Sequence, residues 1–402
     1  MSTDYTHFLS DQIKSLGESA TLKMSSLARE LQSQGHDVIS LSIGQPDFDT
    51  PEHIKDAAKE ALDKGITSYT PVPGLLEYRQ SIIEKLKRDN GLDYNLKQIV
   101  VSNGAKQCIA NICLALCNHT DEVIIFTPYW VSYIEIVKFA GGKPVLLKAP
   151  IENDFKVSAA QLEDTITKNT KLIIFSSPCN PTGSVYTKAE LEAIAEVLRR
   201  HKDIFVVSDE IYEYINFGDP HTSFASLEGM FDRTITVNGM SKGFAMTGWR
   251  LGYMAAPEWL ASACSKIQGQ FTSGANAFGQ YAAAKALSSD LGPTRKMAVE
   301  FERRKHIVIK LLQEIEGFKV NDPQGAFYIF PNVSHYFGKT NGKDTIYDAD
   351  SFAMEILNNA HVAIVSGSAF GNDDCIRISY AANEETLREA IRRIKTLLAD
   401  FK

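Results

Sequence analysis

One lysine of this chain stands where imine chemistry would need it, at the end of a predicted strand and eight residues before an arginine. The alternating run TITV (234–237) predicts the strand, and the segment SKGFAMTGWR (241–250) carries Lys242 and Arg250 among small residues. A lysine that forms an imine needs a depressed pKa, room for a planar ring and, where that ring carries a phosphate, a nearby cation. Taken alone, the segment leaves open the common alternative of a solvated loop lysine.

Small and polar residues also follow the predicted strand QIVV (98–101). The next segment, SNGAKQ (102–107), opens a helix, and the first backbone N–H groups of a helix have no partner within it. Such N–H groups form a cradle for a phosphate. A simple turn into the helix is the alternative.

Two further strand ends carry polar side chains. In SSPCNPTG (176–183), two prolines fix the backbone around Asn180 and aim its amide, although they would also serve in a rigid turn. In SDEIY (208–212), the acids after the strand could bind a metal, cap a helix or pair with a cationic nitrogen, and Tyr212 can face the same side as Asp209.

These four strand ends supply together the groups that pyridoxal phosphate requires. The aldehyde takes a lysine, the pyridinium nitrogen needs a carboxylate, the phenolic oxygen O3′ accepts hydrogen bonds, and the phosphate binds N–H groups and an arginine. Open α/β sheets present their ligands at the ends of the strands, which is where all four segments lie.

The elements that must position these segments alternate between short apolar runs and longer helical patterns, such as 105–116 and 188–200. Several runs are apolar on consecutive positions, as strands covered on both faces should be. The alternation predicts an α/β layer with a mostly parallel sheet. Seven strands are predicted, at 98–101, 122–126, 144–147, 171–175, 204–207, 234–237 and 251–254.

The pattern changes after about Leu291, where a smaller α+β domain is expected. Its predicted elements are a helix at 293–316, a segment at 325–329, a helix at 351–359, a strand pair at 362–365 and 375–379, and a closing helix at 384–398. We therefore expect a large cofactor-binding domain over 46–290 and a small C-terminal domain over 291–402, with residues 1–45 packed beside the small domain.

Composition and charge argue against several classes of protein. The 402 residues carry a formal charge of −7 without an extended basic run, which argues against nucleic acid and anionic membranes as partners. No apolar run approaches the ~18 residues of a membrane span, and the first residues show no secretory pattern. Six scattered cysteines without a C-x-x-C pair argue against a metal site and predict a reduced, cytoplasmic protein.

Five motifs carry a resemblance to a known family. They are GQPDFDTP (44–51), TPYWVSY (127–133), NPTG (180–183), SDEIY (208–212), and Lys242 with Arg250. From about Ser19 to its end, the chain resembles the class I aminotransferases of the aspartate aminotransferase fold family, and in particular the bacterial aspartate aminotransferases. The resemblance implies the type I fold of pyridoxal-phosphate-dependent transferases, with a large, mostly parallel seven-stranded sheet domain and a smaller α+β domain.

The resemblance also implies roles for individual residues. Lys242 would be the imine-forming lysine and the acid/base between Cα and C4′, Asp209 would pair with the pyridinium nitrogen, and Tyr212 would complete the catalytic group. The other implied cofactor contacts are Asn180 and Tyr212 on O3′, Trp130 on the ring, Gly104, Ala105, Lys106 and Arg250 around the phosphate, and Tyr69 on the phosphate of a neighbouring subunit. A homodimer with shared sites follows from the role of Tyr69.

For the substrate, the resemblance assigns the α-carboxylate to Arg377, with Gly44, Asn180 and Trp130 lining the same pocket. Lys106 would determine which substrate side chains the site prefers. In the bacterial subgroup, a lysine in a Gly-Gly-Lys-Gln turn binds the second carboxylate of the substrate. Here the turn reads Gly104-Ala105-Lys106-Gln107, so one glycine is replaced. A surface lysine at a helix start is the alternative for Lys106.

The expected reaction is transamination between an L-amino acid, aspartate or glutamate, and oxaloacetate or 2-oxoglutarate, with ping-pong kinetics. Within the same fold, aromatic, kynurenine, alanine and prephenate aminotransferases and C–S lyases remain alternatives. A non-catalytic protein that keeps the fold is disfavoured by the complete residue set. An NAD-dependent dehydrogenase is disfavoured because no G-x-G-x-x-G turn follows an early strand.

Overall fold

The computed structural model describes residues 5–402, which form a layered α/β structure with a large and a small sheet. Its strands are β1 Ile39–Ser40, β2 Ile99–Asn103, β3 Glu122–Thr127, β4 Lys143–Lys148, β5 Thr170–Ser176, β6 Phe205–Asp209, β7 Thr234–Gly239, β8 Leu251–Ala255, β9 Tyr328–Ile329, β10 Val362–Ala363, β11 Val365–Ser366 and β12 Ile376–Ser379. Its α-helices are α1 Asp11–Lys14, α2 Ala20–Ser33, α3 Glu52–Asp63, α4 Leu76–Asn90, α5 Ala105–Leu116, α6 Ser132–Phe139, α7 Ala159–Thr165, α8 Lys188–Arg200, α9 Glu258–Phe271, α10 Ala277–Ser288, α11 Gly292–Gln313, α12 Ala349–Ala360 and α13 Glu384–Leu398. Within this part of the chain, no helix is long and apolar enough to cross a membrane.

The large sheet has seven strands in the order β2-β8-β7-β6-β5-β3-β4. Strand β8 pairs antiparallel with both of its neighbours, and the remaining pairs are parallel. All seven predicted strands are present, so the predicted mostly parallel sheet is confirmed. Because the parallel strands share one direction, the segments after β5, β6 and β7 meet at the same edge of the sheet.

Apolar residues at consecutive strand positions are explained by helices on both faces of the large sheet. In β5, Ile173 packs with α7 and α8 on one face, whereas Ile174 packs with α5, α6 and α9 on the other. Helix α8 begins with a capping box in which Thr187 accepts a hydrogen bond from the backbone N–H of Glu190. The inner strands of the sheet are therefore buried between two helical layers, whereas edge strand β4 is partly exposed, and the ends of β5 and β6 reach a cavity.

The small sheet is antiparallel, in the order β11-β12-β9, and it is covered by α11, α12 and α13. One strand prediction needs correction here. The predicted strand 362–365 is two strands, because Val362–Ala363 pairs in parallel with Ile39–Ser40 while Val365–Ser366 pairs with β12. The predicted segment 325–329 forms a strand only over Tyr328–Ile329.

The pairing of β1 with β10 ties the N-terminal segment to the C-terminal part of the chain. The backbone N–H of Ile39 donates to the carbonyl of His361 at 2.9 Å, and that of Leu41 donates to the carbonyl of Ala363 at 2.8 Å. Residues 1–4 of the predicted N-terminal segment 1–45 lie outside the described residues. The domain limits 46–290 and 291–402 remain predictions.

Candidate active site

A cavity of about 390 Å³ opens at the strand ends of the large sheet, against the small sheet. It is lined by residues from β5, β6, the turn after β7, the start of α5 and the small sheet, together with the N-terminal segment. Ten of the predicted site residues line it: Gly44, Ala105, Lys106, Trp130, Asn180, Asp209, Tyr212, Lys242, Arg250 and Arg377. The sequence-predicted constellation is thus largely assembled within one chain.

Lys242 lies three residues after β7, and its side chain points into the cavity. Its Nζ donates a hydrogen bond to the backbone carbonyl of Gly44. Burial, together with the cations of Arg377 and Arg250, lowers the pKa of Lys242 to about 7, against the opposing charge of Asp209. The amine can therefore be uncharged, and hence nucleophilic or basic, near neutral pH.

Asp209 ends β6 and is almost wholly buried. Its Oδ2 accepts a hydrogen bond from the hydroxyl of Tyr133 at 2.6 Å, and its Oδ1 accepts one from the backbone N–H of Ile211 at 3.2 Å. Burial raises the pKa of Asp209 to about 6, and the bond from Tyr133 opposes that rise. A cationic nitrogen beside this carboxylate would be strongly favoured, because it would compensate a buried negative charge.

The neighbouring acid, Glu210, is already committed to protein partners. Its Oε1 accepts from the hydroxyls of Ser208 and Ser223, each at 2.9 Å, and its Oε2 pairs with His221 at 3.0 Å. The two acids of the SDEIY segment therefore have different functions. Asp209 lines the cavity, whereas Glu210 stabilises the chain behind it.

Arg377, on β12, is 2 % exposed and lies between two aromatic rings. Its guanidinium carbon is 4.6 Å from the ring centre of Tyr328 and 4.9 Å from that of Phe370. Nη1 donates to Oδ1 of Asn180 at 3.0 Å and Nη2 donates to the carbonyl of Ser42 at 2.5 Å, while Nε has no partner among the described residues. A guanidinium held rigidly in this way presents a planar fork suited to a carboxylate.

The opposite end of the cavity has the features of an anion cradle. Gly104 has a positive φ of 80° and precedes α5, whose first residues, Ala105 and Lys106, line the cavity together with Arg250. A Cβ at Gly104 would lie 2.2 Å from Nη2 of Arg250, so glycine is required for this close approach. Nη2 of Arg250 also donates to the carbonyl of Asn103 at 3.3 Å.

Lys106 and Trp130 form one wall of the cavity. The Nζ of Lys106 lies 5.0 Å from the centre of the Trp130 ring, and burial together with Arg250 lowers the pKa of this lysine. Lys106 is exposed at the start of α5, and it also lines the cavity. Its partly desolvated cation is available to an anionic group in the cavity.

Two predicted residues do not line the cavity, and several lining residues, among them Tyr133, Tyr328 and Ser176, were not predicted. Gly104 lies behind it and makes room for Arg250, whereas Tyr69 is 96 % exposed on the surface of the chain. Tyr133 was missed although it belongs to the TPYWVSY motif, which was the available signal for it. Tyr328 was also missed, because it belongs to none of the motifs that follow the predicted strands of the large sheet.

The residues of the cavity fit pyridoxal phosphate, because several of their polar groups lack the partners that this cofactor would supply. Within residues 5–402, the buried carboxylate of Asp209 has no cationic hydrogen-bond partner, the hydroxyl of Ser176 and Nε of Arg377 are buried without partners, and the amine of Lys242 donates to a backbone carbonyl. A cation-bearing aromatic ring with a phosphate and an aldehyde complements this donor set.

Comparison with known proteins agrees with this geometry. A family model described as "Aminotransferase class I and II" matches residues 36–394. A bifunctional aspartate aminotransferase and glutamate/aspartate-prephenate aminotransferase of Petunia hybrida is 48 % identical, over 98 % of this chain and 83 % of its own length. The aspartate/prephenate aminotransferase of Cereibacter sphaeroides is 47 % identical, over 98 % of this chain and 99 % of its own length.

Solved structures show the same likeness. The aspartate aminotransferase from Rhizobium meliloti superposes with a TM-score of 0.95 at 40 % identity, covering 98 % of this chain and 99 % of its own. The predicted type I transferase fold and the predicted cofactor, pyridoxal 5′-phosphate, are confirmed. The chain belongs to the class I and II aminotransferase family and is a pyridoxal-phosphate-dependent aminotransferase.

Proposed function

We propose that this aminotransferase exchanges the amino group of L-aspartate or L-glutamate with 2-oxoglutarate or oxaloacetate. One observation carries the proposal: two cations, Arg377 and Lys106, line the same cavity as Lys242. A dicarboxylic substrate offers one carboxylate to each of these cations. The names of the relatives, which include aspartate aminotransferase in Bacillus subtilis at 44 % identity, support the same substrates.

In this mechanism, pyridoxal phosphate, when bound, supplies an electron sink that stabilises negative charge at Cα of the amino acid. Asp209 would hold the ring nitrogen in its protonated state, while Asn180 and Tyr212 would hydrogen-bond O3′ and Trp130 would pack on the ring. The start of α5, with Gly104, Ala105 and Lys106, and the side chain of Arg250 would hold the phosphate. The family resemblance implies these roles, and all of these residues except Gly104 line the cavity.

The amine of Lys242 transfers the proton of the substrate Cα. Arg377 grips the α-carboxylate by two parallel hydrogen bonds and thereby orients the Cα–H bond. Lys242, whose pKa is lowered to about 7, takes the proton from Cα and returns it to C4′. Because the product oxo acid leaves before the second oxo acid enters, the kinetics are ping-pong.

Half-reaction spectroscopy of the purified protein with pyridoxal phosphate tests the function and the substrate together. Aspartate and glutamate are expected to convert the cofactor spectrum rapidly, whereas alanine, phenylalanine and kynurenine should react slowly. If no amino acid changes the spectrum, transamination is wrong. If a monocarboxylic amino acid reacts faster than aspartate, only the substrate assignment is wrong.

Prephenate is a second candidate acceptor. It carries two carboxylates, so Arg377 and Lys106 suit it as well, and several relatives are named aspartate/prephenate aminotransferase. The exposed apolar side chains of Leu22 and Ile43 also line the cavity, where they would contact a ring that aspartate lacks. The same spectroscopy, started from the aminated cofactor with prephenate added, distinguishes this activity.

We propose that the enzyme is a homodimer in which Tyr69 reaches the phosphate site of the other subunit. Its 96 % exposure in the single chain supports this role, because a large aromatic side chain at the surface is available to a partner. Mixing inactive K242A and impaired Y69A chains should restore activity, since each hybrid dimer contains one site with both residues intact. Activity that stays at the sum of the two variants would contradict the shared site.

We further propose a cytoplasmic location and the division of the chain at residues 46 and 291. All six cysteines are free, which suits a reducing compartment. The pairing of β1 with β10 supports packing of the N-terminal segment with the C-terminal domain. Limited proteolysis that separates the region before residue 291 from the region after it would test the division.

A further inference from the structure

Tyr328 brings a hydroxyl to the middle of the site, and nothing described above gives this hydroxyl a function. It stands on β9 of the small sheet, fully buried, and its oxygen lies 2.8 Å from the hydroxyl oxygen of Tyr212, which follows β6 of the large sheet. A Cβ at Gly44 would lie 2.5 Å from the same Tyr328 oxygen. Gly44 therefore leaves the space that this hydroxyl occupies.

Counting protons fixes the direction of the Tyr328–Tyr212 hydrogen bond. A phenol has one proton to donate and lone pairs with which to accept. In the proposed function, on which this inference rests, Tyr212 gives its proton to the anionic phenolic oxygen of the cofactor. Tyr212 then has no proton for Tyr328, so Tyr328 must be the donor in the 2.8 Å contact.

The nearest charge is compatible with the same direction. Burial raises the pKa of both phenols, and the guanidinium of Arg377 opposes that rise at both. That guanidinium carbon lies 4.6 Å from the centre of the Tyr328 ring, where a positive charge favours donation by the Tyr328 hydroxyl.

We propose that Tyr328 is a positioning residue that donates a hydrogen bond to Tyr212. The hydroxyl of Tyr212 then donates its own hydrogen bond to the cofactor. The bond also polarises Tyr212, because successive hydrogen bonds in a chain strengthen one another in a buried environment. Since Arg377 stacks on Tyr328, the residue that grips the substrate carboxylate contacts the same chain of hydrogen bonds that reaches the cofactor.

The test is a pH titration of the absorbance spectrum of the bound cofactor, which does not require turnover. A donor to an anionic oxygen favours the state with fewer protons, so weakening that donor should raise the apparent pKa of the chromophore. Tyr328→Phe keeps the ring against Arg377 and removes only the hydroxyl. We expect it to raise the apparent pKa by roughly 0.5 to 1, as befits one hydrogen bond, and Tyr212→Phe to raise it more.

A double-mutant cycle separates action through Tyr212 from direct action. In the Tyr212→Phe background, adding Tyr328→Phe should produce no further shift, because the acceptor that relays its effect is gone. A shift of the same size in both backgrounds would overturn the proposal. So would a Tyr328→Phe single variant whose chromophore titrates like the wild type.

Tyr380→Phe is the matched control for loss of a buried phenol hydroxyl. Tyr380 is fully buried, and its hydroxyl donates to the carbonyl of Ala326 at 3.3 Å, without a hydrogen bond to Tyr212. The Tyr380→Phe variant should leave the apparent pKa of the chromophore unchanged. If it shifted that pKa as much as Tyr328→Phe does, the effect would be a general result of losing a buried hydroxyl, and the proposal would be overturned. A wild-type protein that forms no chromophore with pyridoxal phosphate would instead refute the proposed function.

Discussion

Arg377 donates a hydrogen bond to Asn180 at 3.0 Å across 197 residues of sequence, and this bond joins the small sheet to the large one inside the cavity. The electrostatic neighbours of this buried guanidinium are the phenols of Tyr328 and Tyr212 rather than a carboxylate. A buried cation without an anionic partner is costly. The arrangement therefore favours the entry of a substrate carboxylate.

Replacing Arg377 by lysine should weaken the binding of every substrate to a similar extent, because all amino acids and oxo acids carry the same α-carboxylate. The loss of charge-assisted hydrogen bonds worth about 1.5–3 kcal/mol predicts an increase in KM of roughly 10- to 100-fold. Steady-state kinetics with aspartate, glutamate and phenylalanine would measure it. An increase confined to the dicarboxylic substrates would contradict the assignment of Arg377 to the α-carboxylate.

Replacing Lys106 by methionine should separate the two substrate classes. The variant removes the cation that we assign to the second carboxylate, so kcat/KM for aspartate and glutamate should fall by roughly 10- to 100-fold, while that for phenylalanine stays nearly constant. Lys188→Met is the matched control, since Lys188 is an exposed lysine at the first position of α8. Equal losses for both substrate classes would show that Lys106 serves only the cofactor or the fold.

The lowered pKa of Lys242 predicts how its reactivity depends on pH. The unprotonated amine is the nucleophile, so acetylation of Lys242 in the cofactor-free protein should rise with pH around a midpoint of about 7. Mass spectrometry of the Lys242 peptide after brief acetic anhydride treatment provides the measurement.

The cause of this shift can be checked in the same experiment. Because the cation of Arg377 lowers the pKa of Lys242, Arg377→Met should move the Lys242 midpoint to higher pH. A Lys242 midpoint near 10.4 in the unsubstituted protein would show that the amine is not desolvated.

The sequence predicts the strands of the large sheet and most of the cavity because both depend on local patterns. Consecutive apolar residues mark a doubly covered strand, and the polar residues directly after such strands, including Asp209 and Lys242, must meet at one edge. The bond from Tyr133 to Asp209 joins residues 76 apart, and no local pattern marks it. The stacking of Phe370 and Tyr328 on Arg377 likewise depends on the packing of the small sheet.

A buried ion pair behind the site is another contact that the sequence pattern does not predict. Lys85, in α4, reads as part of an ordinary charged helix, yet it is fully buried and lies 2.5 Å from both carboxylate oxygens of Glu213. The amide of Asn238, near the end of β7, also donates to Glu213 at 2.5 Å. The pair thus supports the strand that leads to Lys242.

Removing one partner of this pair should destabilise the protein strongly. Lys85→Met leaves the carboxylate of Glu213 buried without its cation, which predicts a loss of about 3–5 kcal/mol in the free energy of unfolding, measured in urea at fixed protein and cofactor concentrations. Adding Glu213→Gln should recover much of that loss, because the uncompensated charge is removed while an acceptor for Asn238 remains. The exposed pair of Lys59 and Asp56 is the control, and Lys59→Met should cost less than about 1 kcal/mol. If Lys85→Met were no more destabilising than Lys59→Met, the buried pair would not support the fold at this point.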